Sequence, residues 1–216
     1  MSAHVFQAAM VRLVTDRRFR ERVVKTGERA LPASLSRREQ WRLLSVAAHR
    51  GLDITRMMYV SFRLSRFHAG TPYTFRMLGK RRLDTEISLY LERRPPTSFY
   101  FIDEGAALLA HLRARMRSGD LAVPYLADVI AYETGLLAMQ EARNRGADAT
   151  IAIRVAHDIV AITNALDAGK RPRRLAAQPM VILGCVRNRQ IQFRASRRNE
   201  GKEKGEGSFA KSFSAR

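Results

Sequence analysis

A chain of 216 residues that is 46% hydrophobic and 27% charged has the composition of a globular protein of one or two domains. It contains no uncharged apolar run of about 18 residues, which excludes a transmembrane helix. Its single cysteine, Cys185, excludes an internal disulfide framework and a cysteine-rich zinc site.

Lys and Arg number 39 against 20 Asp and Glu, a formal charge of +19, and most of the cations are Arg. That excess suits an acidic partner: nucleic acid, a carboxylate-rich peptide or an acidic protein surface. The cations are spread over many segments instead of forming one stripe, so charge alone does not identify a nucleic-acid binder. The opening stretch meets Arg12 and Arg17 too early for a secretory signal and lacks a small-residue cleavage site; the cytoplasm is the expected compartment.

In chain order, Val5, Phe6, Ala9, Met10 and Leu13 form an apolar stripe and predict a first helix. Thr15 or Asp16 can cap a second that stops at Gly27. Ser36-Arg-Arg-Glu39 is a capping box ahead of Trp41, Leu44 and Ala48, with Gly51 as its expected end. Asp53 is the expected cap of the next helix, which carries Ile54, Met57, Met58 and Phe62 and stops near Gly70. Pro72 suits a first helical turn and Gly79 its end. Leu83, Ile87, Tyr90 and Leu91 make a further helix, halted by Pro95-Pro96. Two longer helices follow, one from Phe101 to about Gly119 and one from Pro124 into the stretch 144–146.

The pattern then changes. Residues 151–155 alternate and are β-branched, which predicts a strand. Asp158 can cap a helix through Ile159, Ile162 and Leu166. Residues 180–186 and 190–193 flank Arg187-Asn188-Arg189 and read as a β-hairpin, although the turn lacks the favoured Asn-Gly pair. After Ala195 the chain is rich in Ser, Gly, Lys and Glu, and disorder is expected. The expected fold is mainly α with a small C-terminal α+β unit: a helical domain over 1–146, a short antiparallel sheet with one helix over 147–195, and a basic tail over 196–216.

Catalytic signals are sparse. None of the five histidines pairs with another at helical spacing, and neither a metalloprotease motif, a nucleophile elbow nor a Gly-rich phosphate loop occurs. His157-Asp158 can be a site or simply a capped helix start. Cys185 lies in an apolar strand without an adjacent base, as a small hydrophobe does. Glu133 shares a helix face with Leu126, Ile130 and Leu137; a buried carboxylate there needs a partner, and an Arg from a neighbouring helix is expected. Met57, Met58, Tyr59, Phe62 and Phe67 form an apolar-aromatic segment that either packs in the core or docks a partner protein, with Met57, Met58, Tyr59 and Phe62 as the candidate interface. The small sheet offers the best functional geometry, because an open edge can receive a peptide strand. Ile151, Ile153, Val155, Ile182, Cys185, Ile191 and Phe193 are its candidate peptide-binding positions. The basic residues at 170–174, with Arg187, Arg189 and Arg194, would favour an acidic guest.

Three segments occur in a recognisable order: Thr71-Pro-Tyr-Thr-Phe-Arg-Met-Leu-Gly79, Tyr90-Leu-Glu-Arg-Arg-Pro-Pro-Thr-Ser98 and Pro124-Tyr-Leu-Ala-Asp-Val-Ile-Ala-Tyr-Glu133. With them the chain resembles the partner subunits of multi-iron TIM-barrel oxygenases that modify ribosomally made peptides. Within that group its short C-terminal unit is most similar to the subunits of methanobactin biosynthesis. The resemblance implies a subunit without catalytic residues or a bound cofactor of its own. The oxygenase partner would hold the iron and convert precursor cysteines to oxazolone and thioamide groups. The chain would receive the precursor's leader peptide as an added strand and support the complex. A DNA- or RNA-binding regulator is the alternative expectation, motivated by the charge. A stand-alone enzyme using His157, Asp158 or Glu133 lacks a supporting constellation.

Overall fold

The computed structural model of the chain describes residues 3–93 and 100–197. Among them are eight α-helices and three antiparallel strands near the C-terminus, a mainly helical fold with a small sheet as expected. The chain divides into two compact units, one of residues 3–65 with 87–93, the other of 66–86 with 100–197.

The first unit contains α1 (Ala3–Thr15), α2 (Arg17–Thr26), a 3-10 turn at Gly27–Ala30 and α3 (Arg37–Ala48). It also holds the first part of α4 (Gly51–Gly70) and the last part of α5 (Pro72–Arg93). Asp16 caps α2 by accepting from the Phe19 N–H at 2.8 Å, and Gly27 ends the helix at φ 64°. The Ser36–Glu39 capping box forms. Hydrogen bonds from Ser36 hold the Glu39 carboxyl below its ordinary range. α3 ends at Ala48, earlier than expected, because His49 leaves the helix and its Nδ1 accepts from the Gly51 N–H at 3.0 Å. Gly51 therefore opens α4, and Asp53 lies inside its first turn, paired with Arg20. Leu13, Phe19, Val23, Leu43 and Leu52 make the core of this unit.

The second unit contains the end of α4, α5 as far as residue 86, α6 (Phe101–Arg117), α7 (Leu126–Arg145) and α8 (Ile159–Asp167). The two helices expected to meet at Gly79 form one element with a break there, where Gly79 takes φ 67° and ψ 163°. α7 begins at Leu126, later than expected, because Tyr125 just before it is left-handed at φ 62°. Its strands are β1 (Ala149–Val155), β2 (Met180–Arg187) and β3 (Gln190–Arg197), in the order β1-β2-β3 with β2 central. Ile153 faces Ile182, and Val186 faces Ile191.

A reciprocal fit seats the sheet on α7. A Cβ at Gly135 of α7 would overlap the Ile153 side chain, and one at Gly184 of β2 would overlap Met139 of α7. Each glycine makes room for the other element's bulky residue, so the sheet shares a unit with the helices before it. On the other side of α7, Leu137 lies against Gly105 of α6 and Gly70, which are themselves in close approach. β3 runs through Arg197, two residues into the segment expected to be disordered; the rest of that segment, 198–216, and the Pro95-Pro96 stop lie outside the described residues. Among the described residues no helix is long and apolar enough to cross a membrane.

Candidate functional site

The alternation of the strands sorts the sheet into two faces. Ile153, Val155, Met180, Ile182 and Val186 are buried on the face toward α7, with Ile151, Ile191 and Phe193 half-buried beside them. The opposite face carries Thr150, Arg154, Leu183, Cys185, Gln192 and Arg194, and most of it is exposed. Cys185 is half-buried there, its Sγ 3.8 Å from Thr150 Oγ1. Of the expected peptide-binding side chains, then, most are anchors of the sheet, and only Cys185 and the arginines lie off that face.

The edges are set by the turn. Asn188 and Arg189 are both left-handed, at φ 49° and 61°, which is the type I′ geometry of a two-residue hairpin despite the missing Gly. The pair that flanks such a turn, Arg187 and Gln190, exchanges ladder bonds, and alternation then turns the Ile191 and Phe193 N–H groups outward from β3. By the same alternation Thr150, Ala152 and Arg154 point their N–H groups outward from β1. Ile182, expected as a possible docking position, belongs to the central strand, where its backbone groups are consumed by its neighbours. It cannot be an edge. Arg187, Arg189 and Arg194 are all exposed at the turn and along β3.

Glu133 is fully buried, but among the described residues no arginine forms an ion pair with it, contrary to expectation. Its carboxylate accepts from the Tyr73 N–H at 2.6 Å, the Thr74 N–H at 3.1 Å and Thr74 Oγ1 at 2.5 Å. These are the free donors of the first turn of α5, immediately after Pro72, which has none to offer. A side chain from α7 thus caps α5 and joins segment 71–79 to segment 124–133. Burial pushes the Glu133 carboxyl up to about 7, against the pull of its three hydrogen bonds. Burial likewise raises the neighbouring Tyr132 phenol to about 12.

The pair His157-Asp158 separates into two roles. Asp158 caps α8, its Oδ1 accepting from the Val160 N–H at 2.9 Å and the Ala161 N–H at 3.2 Å. His157 turns away to buried Asp128 on α7, with Nδ1 2.7 Å from Oδ2, while Asp128 Oδ1 accepts from the Ala156 N–H at 2.6 Å. The Tyr125 ring meets the imidazole edge-on at 4.9 Å between centroids. Asp128 thereby pins the exit of β1 to α7, a role that reading along the sequence did not find. Its 29-residue separation from His157 leaves no local signal.

In the first unit, Met57 and Met58 are 62% and 66% exposed, and Ile54 and Phe62 extend the same apolar stripe along α4. The core alternative does not hold for Met57, Met58 and Phe62, whereas Phe67 of the same expected segment is fully buried. Tyr59 points elsewhere: its hydroxyl accepts from buried Arg63 at 2.9 Å, and the Arg63 guanidinium also lies over the Tyr90 ring at 5.3 Å.

Among the described residues no three His, Cys, Asp or Glu side chains converge as a metal site. Comparison with family models, curated proteins and solved structures finds no match to this chain.

Proposed function

We propose that this chain is the partner subunit of an iron-dependent oxidase that modifies a ribosomally made peptide, binding the precursor's leader and supporting the complex. The observation that carries the reading is the edge of β3: outward N–H groups at Ile191 and Phe193, a rigid seat on α7, and Arg187, Arg189 and Arg194 alongside. An acidic leader adds there as a fourth antiparallel strand, held by main-chain hydrogen bonds and steered by the arginines. The exposed stripe Ile54, Met57, Met58 and Phe62 is the surface offered to the oxidase. The resemblance of its three ordered segments to such subunits, and of its short C-terminal unit to those of methanobactin biosynthesis, supports a role in that branch, acting in the cytoplasm. In that branch the partner holds the iron and converts precursor cysteines to oxazolone and thioamide groups. The union of segments 71–79 and 124–133 through Glu133 is consistent with a role for those motifs in the fold instead of in chemistry.

The test is co-expression of the tagged chain with its chromosomal neighbours, followed by pull-down, iron analysis and mass spectrometry of the captured peptide. A one-to-one complex with an iron-bearing protein is expected, with the precursor oxidised only when both proteins are present. Ile191→Pro or Phe193→Pro should remove an outward donor and weaken leader capture about tenfold, whereas Ala152→Pro on β1 should leave it intact. Loss confined to Ala152→Pro moves the leader to β1. Capture of nucleic acid without a metalloprotein overturns the reading in favour of a regulator.

A further inference from the structure

The break in α5 opens a second feature, separate from the sheet edge and independent of the function proposed above. An open cleft of about 650 Å³ lies at Gly79, lined by residues 78–82, 85 and 86 of α5, by Arg115, by residues 120–122 and by Arg171. Its acids are already occupied. Buried Glu86 takes Arg115 in a two-point pair, with Nε at 3.1 Å and Nη2 at 3.2 Å, and Asp120 takes the Nη1 of the same arginine at 2.7 Å.

The remaining cations are Lys80, Arg81, Arg82 and Arg171, and none of them makes an ion pair among the described residues. Arg171 reaches across from the loop after α8 to Gly79. A Cβ there would come within 2.8 Å of its Nη2, so the glycine's missing side chain is what admits the guanidinium. At φ 67° the same residue also suits glycine for conformational reasons. Beyond the break a new helical run starts at Lys80, and its positive end faces the same place. Four uncompensated cations around one concavity repel each other, and a compact polyanion relieves all four at once.

We infer that this cleft binds a small diphosphate-bearing anion. Two adjoining phosphates present several acceptor oxygens to the forked donors of Arg81, Arg82 and Arg171, which a single carboxylate cannot do. The acceptor-lined wall of Glu86 and Asp120, held closed by Arg115, bounds the site and limits entry to ligands that stay on the cationic side.

The test is isothermal titration of the full-length chain with inorganic pyrophosphate in about 0.15 M salt, with sulfate at matched ionic strength as the comparison. A dissociation constant on the order of 10–100 µM is expected for pyrophosphate, with sulfate at least tenfold weaker. Arg82→Gln and Arg171→Gln should each weaken pyrophosphate at least tenfold while circular dichroism stays unchanged. Arg143→Gln with Arg145→Gln, a pair on the far end of α7, should leave it intact. Equal weakening in that control pair means diffuse charge attraction and overturns the site. So does absence of binding to the wild-type chain, or binding of a polynucleotide that pyrophosphate does not displace. Should Arg171→Gln fail to fold, exposed Arg82 carries the decision alone.

Discussion

Glu133 shows how one residue can be costly to bury and still indispensable. Its carboxylate accepts from the Tyr73 and Thr74 N–H groups and from the Thr74 hydroxyl, and loss of the side chain leaves buried donors unmet. Glu133→Ala should therefore destabilise the protein by about 3 kcal/mol, measured by urea unfolding. The pH dependence has an unusual sign. With its native-state value raised to about 7 from the ordinary 4.5, the native protein holds this proton where the unfolded chain has released it. Its contribution to stability is complete below about 4.5 and is lost as the pH rises toward 7, by no more than about 3 kcal/mol. Unfolding of wild type and Glu133→Gln at pH 5 and pH 7.5 separates this group from all others. Wild type should lose more stability than the variant between the two; parallel losses would mean that the carboxyl titrates in its ordinary range.

At the scale of elements, the sheet depends on two glycines set opposite bulky partners. Gly135→Ala puts a methyl group into the space of Ile153, and the sheet must shift on α7 or the isoleucine must leave its rotamer. A loss of about 1–3 kcal/mol is expected, and pairing it with Ile153→Val should recover part of the loss, since a smaller partner frees the space. Additive losses in the pair would argue that the two residues do not share that volume. The glycine in α7 was invisible as a packing device: along the sequence it reads only as a weak point in a helix, and nothing in residues 126–145 indicates that a strand will lie over it. The capping box at Ser36, by contrast, was legible because both of its partners lie within one turn.

For the molecule as a whole, the stripe on α4 separates surface from core. Met57→Glu with Met58→Glu changes side chains that are mostly exposed, so the unfolding free energy should move by less than about 0.5 kcal/mol. Capture of the oxidase subunit proposed above as its partner should fall at least tenfold. Full capture by this double variant would remove α4 from the interface while leaving the β3 edge untouched. The charge of +19 also acts at this scale, through the cations at the Gly79 break and along β3.

Amphipathic periodicity, caps and β-branched alternation are local, so the helices, the strands and the hairpin follow from neighbouring residues, as does the presence of a small antiparallel sheet. Helix ends shifted only where a side chain competed with the backbone, as His49 does before Gly51, or where the chain took a left-handed turn at Tyr125. The partners of buried charges belong to the tertiary structure. Glu133 finds helix-end donors 60 residues away, Asp128 finds His157, and Glu86 finds Arg115, because desolvation requires a partner without specifying which one. Strand order is likewise tertiary: it places Ile182 in the centre and the Ile191 backbone at an edge, a distinction that alternation along one strand does not contain.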